Sequence, residues 1–485
     1  MTTANSITST NGSESCNAIE GGGMDVMISS IGTNRGASRV WLEGVMLNRA
    51  GFTPKTRYQI KTENGALILV KESVGFRIVS SRTRADREIP IIDINSGELL
   101  ALFNGLDHVR VIFKAGEIRI LPLASELRAR ERVARAEEKV KSGAPFTFGS
   151  LAHGGGVMDD ALEAGFKLSG VACVLAFANE IRTDLTEHAI GLGRSWKSST
   201  IALNGKMQEF AFDDYLMRKI GMIDVLSAGL PCSGASVAGR VRRKLAHAEA
   251  HPEVGHLVVA FLAIVARVNP LVIVLENVIP YSNSASMDII RSQLTDMQYE
   301  LKEVVLDGAD WGAMEHRKRM IMVAVSKGVD FSFDDLIRPQ VAARPLSDIL
   351  ETIALDDPRW SQMQGLKDKE LRDAAANKSF AMQIFTGASE KICTLTKGLA
   401  KNRSTDAKIQ HPENPDLLRV PTPIEHARAK QIPESMIQGL SATVAHEMLG
   451  QSVIYSVFVA VGQLIADSIT RMKFKAEPIP FALTA

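Results

Sequence analysis

The chain has few cysteines and no long apolar run. Its 485 residues include 4 cysteines, too few and too dispersed for a disulfide framework or a zinc site, namely Cys16, Cys173, Cys232 and Cys393. The longest apolar run, residues 257–265, is too short to cross a bilayer, and the chain opens without a signal sequence. We therefore expect a protein without metal that is soluble in a reducing, cytoplasmic compartment.

The chain also lacks a strong excess of either charge. Its formal net charge is +1, although residues 1–145 carry 20 Lys and Arg against 16 Asp and Glu, which leaves −3 for the remainder. Aromatic residues make up only 6% and charged residues 23%, as in an ordinary globular protein of two or three domains. This balance neither requires nor excludes a nucleic-acid partner, because a local basic surface does not show in a sum.

The first 123 residues change from a polar tail to a small β module. Residues 1–37 are rich in Ser, Thr, Asn and Gly, which predicts a disordered tail. Residues 38–123 show short alternating strands in two similar halves, offset by about fifty residues. Through Arg39-Val-Trp-Leu-Glu-Gly and Ala50-Gly-Phe-Thr-Pro, the first half resembles the swapped-hairpin DNA-binding modules of transition-state regulators and antitoxins. A role in protein interaction or dimerisation stays open beside DNA binding.

A second pattern follows a charged helix at residues 124–145, which is predicted to link two domains. From Phe146 the chain reads as a strand, a glycine turn at His153-Gly-Gly-Gly156 and a helix closed by Gly165, which is typical of an α/β nucleotide-type domain. The next apolar strand ends in Glu180, whose carboxylate could accept hydrogen bonds from ribose hydroxyls. Three adjacent glycines alone also fit an ordinary flexible turn.

The stretch Asp224-Val-Leu-Ser-Ala-Gly-Leu-Pro-Cys-Ser-Gly-Ala-Ser236 reads as a buried strand that breaks at Gly229. Such a strand delivers Pro231 and Cys232 to its carboxyl end, where open α/β sheets bind their ligands. A cysteine held there is a candidate nucleophile. The alternative is a buried thiol that packs as a small apolar side chain.

Later strands bring charged groups to the same edge. The apolar run at residues 271–275 ends in Glu276, which is either a catalytic carboxyl group or a cap of the next helix. Arg317 and Arg319 alternate before a strand at residues 320–325, so they share one face of an extended segment. They could instead be solvated basic residues.

Taken in order, these stretches resemble the C5-cytosine DNA methyltransferases over residues 146 to about 472. The loop of Cys232 resembles the nucleophile loop of that family, Glu276-Asn-Val its catalytic carboxylate motif, and Glu315-His-Arg-Lys-Arg319 its Gln-x-Arg-x-Arg motif. Residues 419–433 resemble the element that supports the recognition domain, and Leu449-Gly-Gln-Ser-Val453 the final motif.

Several positions depart from the family pattern. The first motif is Leu151-Ala-His-Gly-Gly-Gly156 instead of Phe-x-Gly-x-Gly-Gly. Ser233 and Glu315 each stand where a Gln is common, and Gln451 stands where an Asn is usual. The acidic residue expected on the adenine amine is not evident around Asn204.

The resemblance implies an α/β, Rossmann-like fold dependent on S-adenosylmethionine. Its catalytic domain would comprise residues 146–345 and 434–485, with a target-recognition domain at 346–433 in which residues 394–398 and 401–406 are candidates for contacts with DNA. The cofactor residues implied are Leu151, Gly154, Gly155, Gly156, Glu180, Gln451 and Ser452.

The resemblance also implies a reaction on a cytosine flipped out of double-stranded DNA. Cys232 would add to carbon 6, Glu276 would serve ring N3, and Arg319, braced by Arg317, would hold O2. We expect no membrane partner, and the N-terminal module offers a route to a homodimer. Two other functions stay open: a transfer RNA methyltransferase of the same fold, and a DNA-binding regulator whose methylase body is secondary.

Overall fold

A computed structural model describes residues 23–34, 36–231, 249 and 255–472 of the chain. The chain divides into two compact units, one formed by the chain up to Leu127 and one from Arg128 to Glu477. The predicted nucleophile loop is described only as far as Pro231, so Cys232 and Ser233 lie outside the described residues.

The N-terminal unit is built around one antiparallel sheet. Its strands are β1 (Asp25–Asn34), β2 (Ala37–Glu43), β3 (Arg57–Glu63), β4 (Ala66–Lys71), β5 (Arg77–Ile78), β6 (Ser80–Arg84), β7 (Arg87–Asn95), β8 (His108–Lys114) and β9 (Glu117–Pro122). Two short helices, α1 (Val45–Arg49) and α2 (Gly97–Leu100), follow β2 and β7. Within the described residues, the strand order is β5-β3-β4-β9-β8-β1-β2-β7-β6. The small β domain expected from the sequence is therefore present.

The two halves of this unit pair with each other. The order β2, α1, β3, β4 is repeated as β7, α2, β8, β9. β2 pairs antiparallel with β7, and β4 pairs antiparallel with β9, so each half extends the sheet of the other. Both halves contribute to a single apolar core, whose members include Val40, Leu42, Leu67, Leu69, Ile92, Ile94, Val111 and Ile118. Neither half could bury its apolar face alone.

β1 lies inside the stretch for which composition predicted a disordered tail, and that prediction is wrong for Asp25–Asn34. Residues 25–30 pair with β8, and residues 31–34 pair with β2. Met27 and Ile31 pack against the core. Pairing along its whole length, first with β8 and then with β2, satisfies backbone groups of a strand whose composition alone is too polar to predict it.

The charged helix α3 (Ala124–Ser142) forms as predicted. From Arg128 onward it belongs to the second unit, and its basic side chains form hydrogen bonds and ion pairs within that unit. Arg132 is only 1% exposed, and its Nη1 donates to Asn269 Oδ1 at 3.1 Å. Lys139 pairs with the fully buried carboxylate of Asp224 at 2.5 Å. Burial alone would raise the pKa of Asp224, but hydrogen bonds, first that of Lys139, hold this pKa below its usual value.

The second unit has a central sheet flanked by helices. Its strands are β10 (Phe146–Leu151), β11 (Cys173–Glu180), β12 (Ile201–Asn204), β13 (Val225–Ala228), β14 (Val272–Asn277), β15 (Tyr299–Asp307) and β16 (Lys318–Ser326). Its helices are α4 (Val157–Leu168), α5 (Thr183–Leu192), α6 (Met207–Ala211), α7 (Asp214–Ile220), α8 (Leu257–Val268), α9 (Ala285–Asp296), α10 (Gln364–Ala375), α11 (Pro423–Ala429), α12 (Ala442–Gln451) and α13 (Tyr455–Thr470).

The sheet is a doubly wound α/β sheet. In the described part of the chain its order is β12-β11-β10-β13-β14-β16-β15, with β10 to β14 parallel and β16 antiparallel to both of its neighbours. One apolar core includes residues of α4, α12 and α13, and another includes residues of α6, α8 and α9. The order reverses beside β10, which is where such sheets form a ligand crevice at the carboxyl ends of their strands.

The sequence analysis predicted that Gly165 ends α4. This prediction is wrong, because the helix continues to Leu168. A Cβ atom on Gly165 would lie 2.2 Å from the carbonyl oxygen of Val459 in α13. A Cβ atom on Gly462 would lie 2.5 Å from the carbonyl oxygen of Leu162 in α4. The glycine is thus required for close packing of two helices and not for a turn.

The predicted recognition region, residues 346–433, contains α10 and a small sheet of β17 (Gln383–Phe385), β18 (Ala407–Gln410) and β19 (Leu418–Arg419). A separate apolar cluster lies beneath it and includes Leu346, Ile349, Ile392, Leu395, Leu399 and Ile409. Among all described residues, no single helix is long and apolar enough to cross a membrane; the bent pair α12 and α13 passes by length and composition alone.

Candidate active site

The parallel strands bring several predicted site residues to one edge of the sheet. Leu151 ends β10, Glu180 ends β11, and Glu276 lies at the end of β14. The register places Leu151 opposite Ala228 at the end of β13, and Ala228 opposite Leu275 of β14. The glycine turn, the carboxylate of the second strand, the start of the cysteine loop and Glu276 therefore share one rim.

The glycine turn and Glu180 are joined directly. The backbone N–H of Gly154 donates to Glu180 Oε2 at 2.7 Å, and Glu180 is 8% exposed. Gly154 has a φ of +59°, and a Cβ atom built on it would meet no atom within 4 Å. The turn thus leaves open space beside a carboxylate, and this fits a polar adenosine-type cofactor bound at the end of β11.

Leu151, which the sequence analysis placed in the cofactor site, is 1% exposed and packs in the core. Its contribution to the rim is its carbonyl oxygen, which accepts a hydrogen bond from Gly229 N at 3.2 Å. This bond ties the start of the cysteine loop to the end of β10. The side chain itself is not exposed for contact with a ligand.

His153, a departure from the family pattern, lies in a buried hydrogen-bonded network. Its Nδ1 lies 2.8 Å from Asp159 Oδ2, and its Nε2 accepts a hydrogen bond from Trp196 Nε1 at 3.1 Å. Because an indole N–H can only donate, Nε2 is unprotonated and Nδ1 carries the proton donated to Asp159. Asp159 also accepts hydrogen bonds from Ser150 and Ser227. The imidazole therefore lies directly beneath the glycine turn in one fixed orientation.

The end of α12 packs against the glycine turn. A Cβ atom on Gly155 would lie 2.1 Å from the sulfur of Met448. Gln451 is exposed at the end of this helix, and Ser452 Oγ donates to the carbonyl oxygen of Met448 at 2.8 Å. Gln451 is free of the core, whereas the Ser452 hydroxyl is used within the helix end.

The cysteine loop starts from an anchored position. The side-chain amide of Asn277 donates to the carbonyl oxygen of Leu230 at 3.1 Å, and both residues are buried. Cys232 follows Leu230 by two residues and lies outside the described part of the chain. Asn277 is a site residue that the sequence analysis quoted but gave no role, and its place directly after Glu276 was the available signal.

Glu276 and Arg319 are brought together, whereas Arg317 lies elsewhere. Arg319 Nε lies 3.0 Å from Glu276 Oε1, and the two side chains are 20% and 12% exposed. Arg317 is buried and donates to the carbonyl oxygen of Gly450 at 3.3 Å. Its Nη1 lies 3.5 Å from the carboxylate of Glu315. Arg317 thus links two elements of the protein, and Arg319 meets the carboxylate at the rim.

A buried ion pair lies beside Arg317. Lys430 Nζ is 2.6 Å from Glu315 Oε2, and both side chains are fully buried. Burial lowers the pKa of Lys430 to about 7, with the nearby Arg317 acting in the same direction. The backbone N–H of Glu315 also donates to the carbonyl oxygen of Ala429, so Glu315 binds the region of α11 twice. Sequence reasoning noted Glu315 as a departure but missed its partner.

The two described cysteines, Cys173 and Cys393, have unreactive thiols. Burial raises the pKa of Cys393 to about 11, and burial also raises the pKa of Cys173 well above its usual value. Thiols of this kind stay protonated at neutral pH, and only the thiolate is strongly nucleophilic. Both are free of disulfides. Neither is therefore a candidate for the nucleophile.

The fold and this rim define a class of protein: an α/β protein with a glycine turn and two carboxylates at the carboxyl edge of its parallel strands. A model of the C-5 cytosine-specific DNA methylase family matches residues 160–469. The chain belongs to this family, and the activity expected from the sequence is confirmed: it is a DNA cytosine-5 methyltransferase.

Relatives support the same assignment. The chain is 28% identical over 249 residues to the type II methyltransferase M.NlaX of Neisseria lactamica, covering 50% of this chain and 75% of the relative. It is 26% identical over 261 residues to M1.ScrFI of Lactococcus lactis subsp. cremoris, covering 52% of this chain and 64% of the relative. Among solved structures, the Dnmt2 methyltransferase of S. pombe matches 68% of this chain and all of its own length, with a TM-score of 0.52 at 18% identity. That likeness confirms the methyltransferase fold.

Proposed function

We propose that this chain methylates carbon 5 of a cytosine flipped out of double-stranded DNA, with Cys232, Glu276 and Arg319 acting on the ring. The observation that carries the proposal is the contact of Glu276 with Arg319 at 3.0 Å, beside a cysteine loop that Asn277 anchors. Because carbon 5 is a weak nucleophile, a covalent step at carbon 6 must first raise its electron density.

In the proposed reaction, the Cys232 thiolate adds to carbon 6, and negative charge moves toward ring N3 and O2. Glu276 provides a proton or a hydrogen bond at N3, and Arg319 provides a fixed donor at O2. After methyl transfer, the C5 proton leaves and the carbon–sulfur bond breaks, which releases 5-methylcytosine and the free thiol. Atoms balance because the thiol is regenerated and one methyl cation replaces one proton at carbon 5.

Arg317 is proposed as a positioning residue. Its buried guanidinium binds Gly450 O at the end of α12 and the carboxylate of Glu315. It therefore holds the strand that carries Arg319 against the helix that supports the glycine turn. This gives a physical basis to the sequence-based proposal, in which Arg317 braces Arg319.

S-adenosylmethionine, when bound, supplies an activated methyl group on a positively charged sulfur. The residues proposed to hold it are at the rim: the turn Gly154, Gly155 and Gly156, the carboxylate of Glu180, and Gln451 with Ser452 at the end of α12. The main-chain carbonyl of Leu151 supports the turn.

The target-recognition domain is proposed to grip the DNA around the flipped base. Of the side chains suggested for this role, Thr394 donates to the carbonyl oxygen of His316 at 2.6 Å, and Thr396 donates to Asp406 at 3.2 Å. These hydroxyls are occupied within the protein, whereas Lys397 and Lys401 are exposed and suited to phosphates. Action on DNA supports our proposal that the protein acts in the cytoplasm, at the nucleoid.

A methyl-transfer assay tests the proposal. Purified protein is incubated with methyl-labelled S-adenosylmethionine and either double-stranded DNA or transfer RNA, and the product is located by bisulfite sequencing. We expect label in DNA cytosines, loss of labelling in Cys232→Ala, and full labelling in the control Cys393→Ala. Label in transfer RNA alone would favour the alternative substrate, and full activity of Cys232→Ala would refute the nucleophile.

A further inference from the structure

The outward face of β2, β6 and β7 in the N-terminal unit carries four arginines and a tryptophan. Strand pairing places them on one face, because Trp41 lies opposite Asp93, Arg82 opposite Ile89, and Arg84 opposite Arg87. The alternate residues of β2, Val40 and Leu42, point into the core. We define the arginine face by its outward side chains, Arg39, Trp41, Arg82, Arg84 and Arg87.

Two of these arginines are neutralised within the face. Arg39 forms a two-pronged contact with Asp93 at 2.8 and 3.0 Å, and its guanidinium lies 4.5 Å from the ring centroid of Trp41. Arg82 pairs with Glu43 at 2.7 Å. These contacts hold one end of the face in a defined shape.

Arg84 and Arg87 at the tip are different. They lie directly opposite each other across a tight turn, in which Ala85 and Asp86 both have positive φ values, of 50° and 57°. Like charges opposed across strands are destabilising. Among the described residues, neither arginine forms an ion pair, including with Asp86 in the turn, and all five residues of β6 are exposed. The hairpin therefore presents two adjacent, unneutralised guanidinium groups.

We propose that the arginine face binds the phosphate backbone of DNA, with Arg84 and Arg87 as its main contacts. Adjacent guanidinium groups match phosphate oxygens, because arginine donates two parallel hydrogen bonds to such an anion. A phosphate between them would also remove the repulsion that the turn imposes. This inference rests on the proposed function, which supplies DNA as the substrate, and it assigns the DNA contact to particular residues of the N-terminal unit.

The salt dependence of DNA binding tests this surface. We compare full-length wild type with Arg84→Ala/Arg87→Ala by fluorescence anisotropy, on a duplex of about 40 base pairs containing a methylated site, between about 50 and 200 mM salt. Loss of two phosphate contacts is expected to lower the slope of log affinity against log salt by about 1.8 and to weaken binding by about tenfold. The value of kcat at saturating DNA should stay the same.

Lys61→Ala/Lys71→Ala is the matched control. It also removes two positive charges from exposed strand positions of the same sheet, but from β3 and β4 near the opposite edge. We expect its salt slope to equal that of the wild type. A wild-type slope and affinity in the Arg84/Arg87 variant, with both variants folded by circular dichroism, would overturn the proposal. Methylation is measured with the same protein samples. If the proposed function is wrong, the wild type and both variants will all lack activity, and this result is separate from any change in DNA binding.

Discussion

Arg319 and Glu276 form an ion pair at the carboxyl edge of the central sheet, with Nε 3.0 Å from Oε1. The two residues come from neighbouring antiparallel strands, and Glu276 lies opposite Ile321 in the register. Their contact links the two groups that we propose to act at N3 and at O2 of one ring. Glu276 is proposed to transfer a proton and Arg319 to stabilise a developing negative charge. Replacement of each residue should therefore affect the reaction differently.

Glu276→Gln should lower kcat by about 10²- to 10⁴-fold, because an amide cannot transfer a proton to the ring. Arg319→Ala should lower kcat by about 10²- to 10³-fold through loss of one donor to the developing charge. Both rates are to be measured by single-turnover methyl transfer at saturating cofactor. Lys318→Ala, whose side chain is exposed between Arg317 and Arg319, is the matched control and should retain activity. Equal activity of all three variants would contradict the assignment.

Trp196→Phe should weaken S-adenosylmethionine binding without changing the chemical step. The variant lacks the indole N–H that donates to His153 Nε2, and it leaves that buried nitrogen unpaired. An unpaired buried polar group costs about 1–3 kcal/mol, so the KM of the cofactor should rise by about 5- to 100-fold with kcat preserved. Lys197→Ala, at the exposed neighbouring position, should leave KM unchanged. A fall in kcat at constant KM would show that the network acts elsewhere.

Lys430→Gln should destabilise the protein by about 3–5 kcal/mol, because it leaves the buried carboxylate of Glu315 with only its longer contact to Arg317. The double variant Glu315→Gln/Lys430→Gln removes both charges of this pair and keeps amide groups of similar size, while Arg317 keeps its hydrogen bond to Gly450, so it should recover part of this loss. Urea unfolding at neutral pH measures the difference. Lys367→Gln, which removes one member of a surface pair with Asp416, should cost less than about 1 kcal/mol. A double variant no more stable than Lys430→Gln would contradict the pairing.

Much of the fold could be predicted from local patterns. The hairpin at Asn64-Gly65 has positive φ at both residues, as such a turn requires, and the buried strands before Glu180 and Glu276 form where apolar runs predicted them. The motifs at Gly154 and Glu276 meet at one rim because parallel strands share their carboxyl edge. These features depend on a few neighbouring residues, which a sequence shows directly.

Other features depend on partners that are distant in the chain. The Asp25–Asn34 strand is stable because β8 and β2 pair with it, and Gly165 is required by a helix that follows about 300 residues later. The ion pair of Glu315 with Lys430 and the ring of His153 against Trp196 likewise join separate segments. Composition and spacing do not reveal such contacts, so of these positions only His153 and Glu315 were noticed, as departures from a family pattern.

Acid should destabilise the protein through two stacked histidines at the contact of α11 with α12. His426 and His446 share a hydrogen bond between their Nδ1 atoms at 3.0 Å, with ring centroids 5.3 Å apart. Burial lowers the pKa of His446 from 6.5 to about 4, and burial with the nearby Lys430 lowers the pKa of His426 well below its usual value. Between about pH 4 and 6.5 the unfolded chain therefore binds more protons than the folded protein.

The free energy of unfolding should consequently fall as the pH falls through this window, by up to about 1.4 kcal/mol per pH unit for each proton taken up on unfolding. His446→Gln removes one of these protons and should make the decline shallower, although the variant starts less stable at pH 8. Urea unfolding at several pH values measures the slope. His108→Gln, at an exposed position of the N-terminal unit, should leave the slope unchanged. An equally steep decline in His446→Gln would show that other groups take up the protons, since a neutral amide at position 446 cannot.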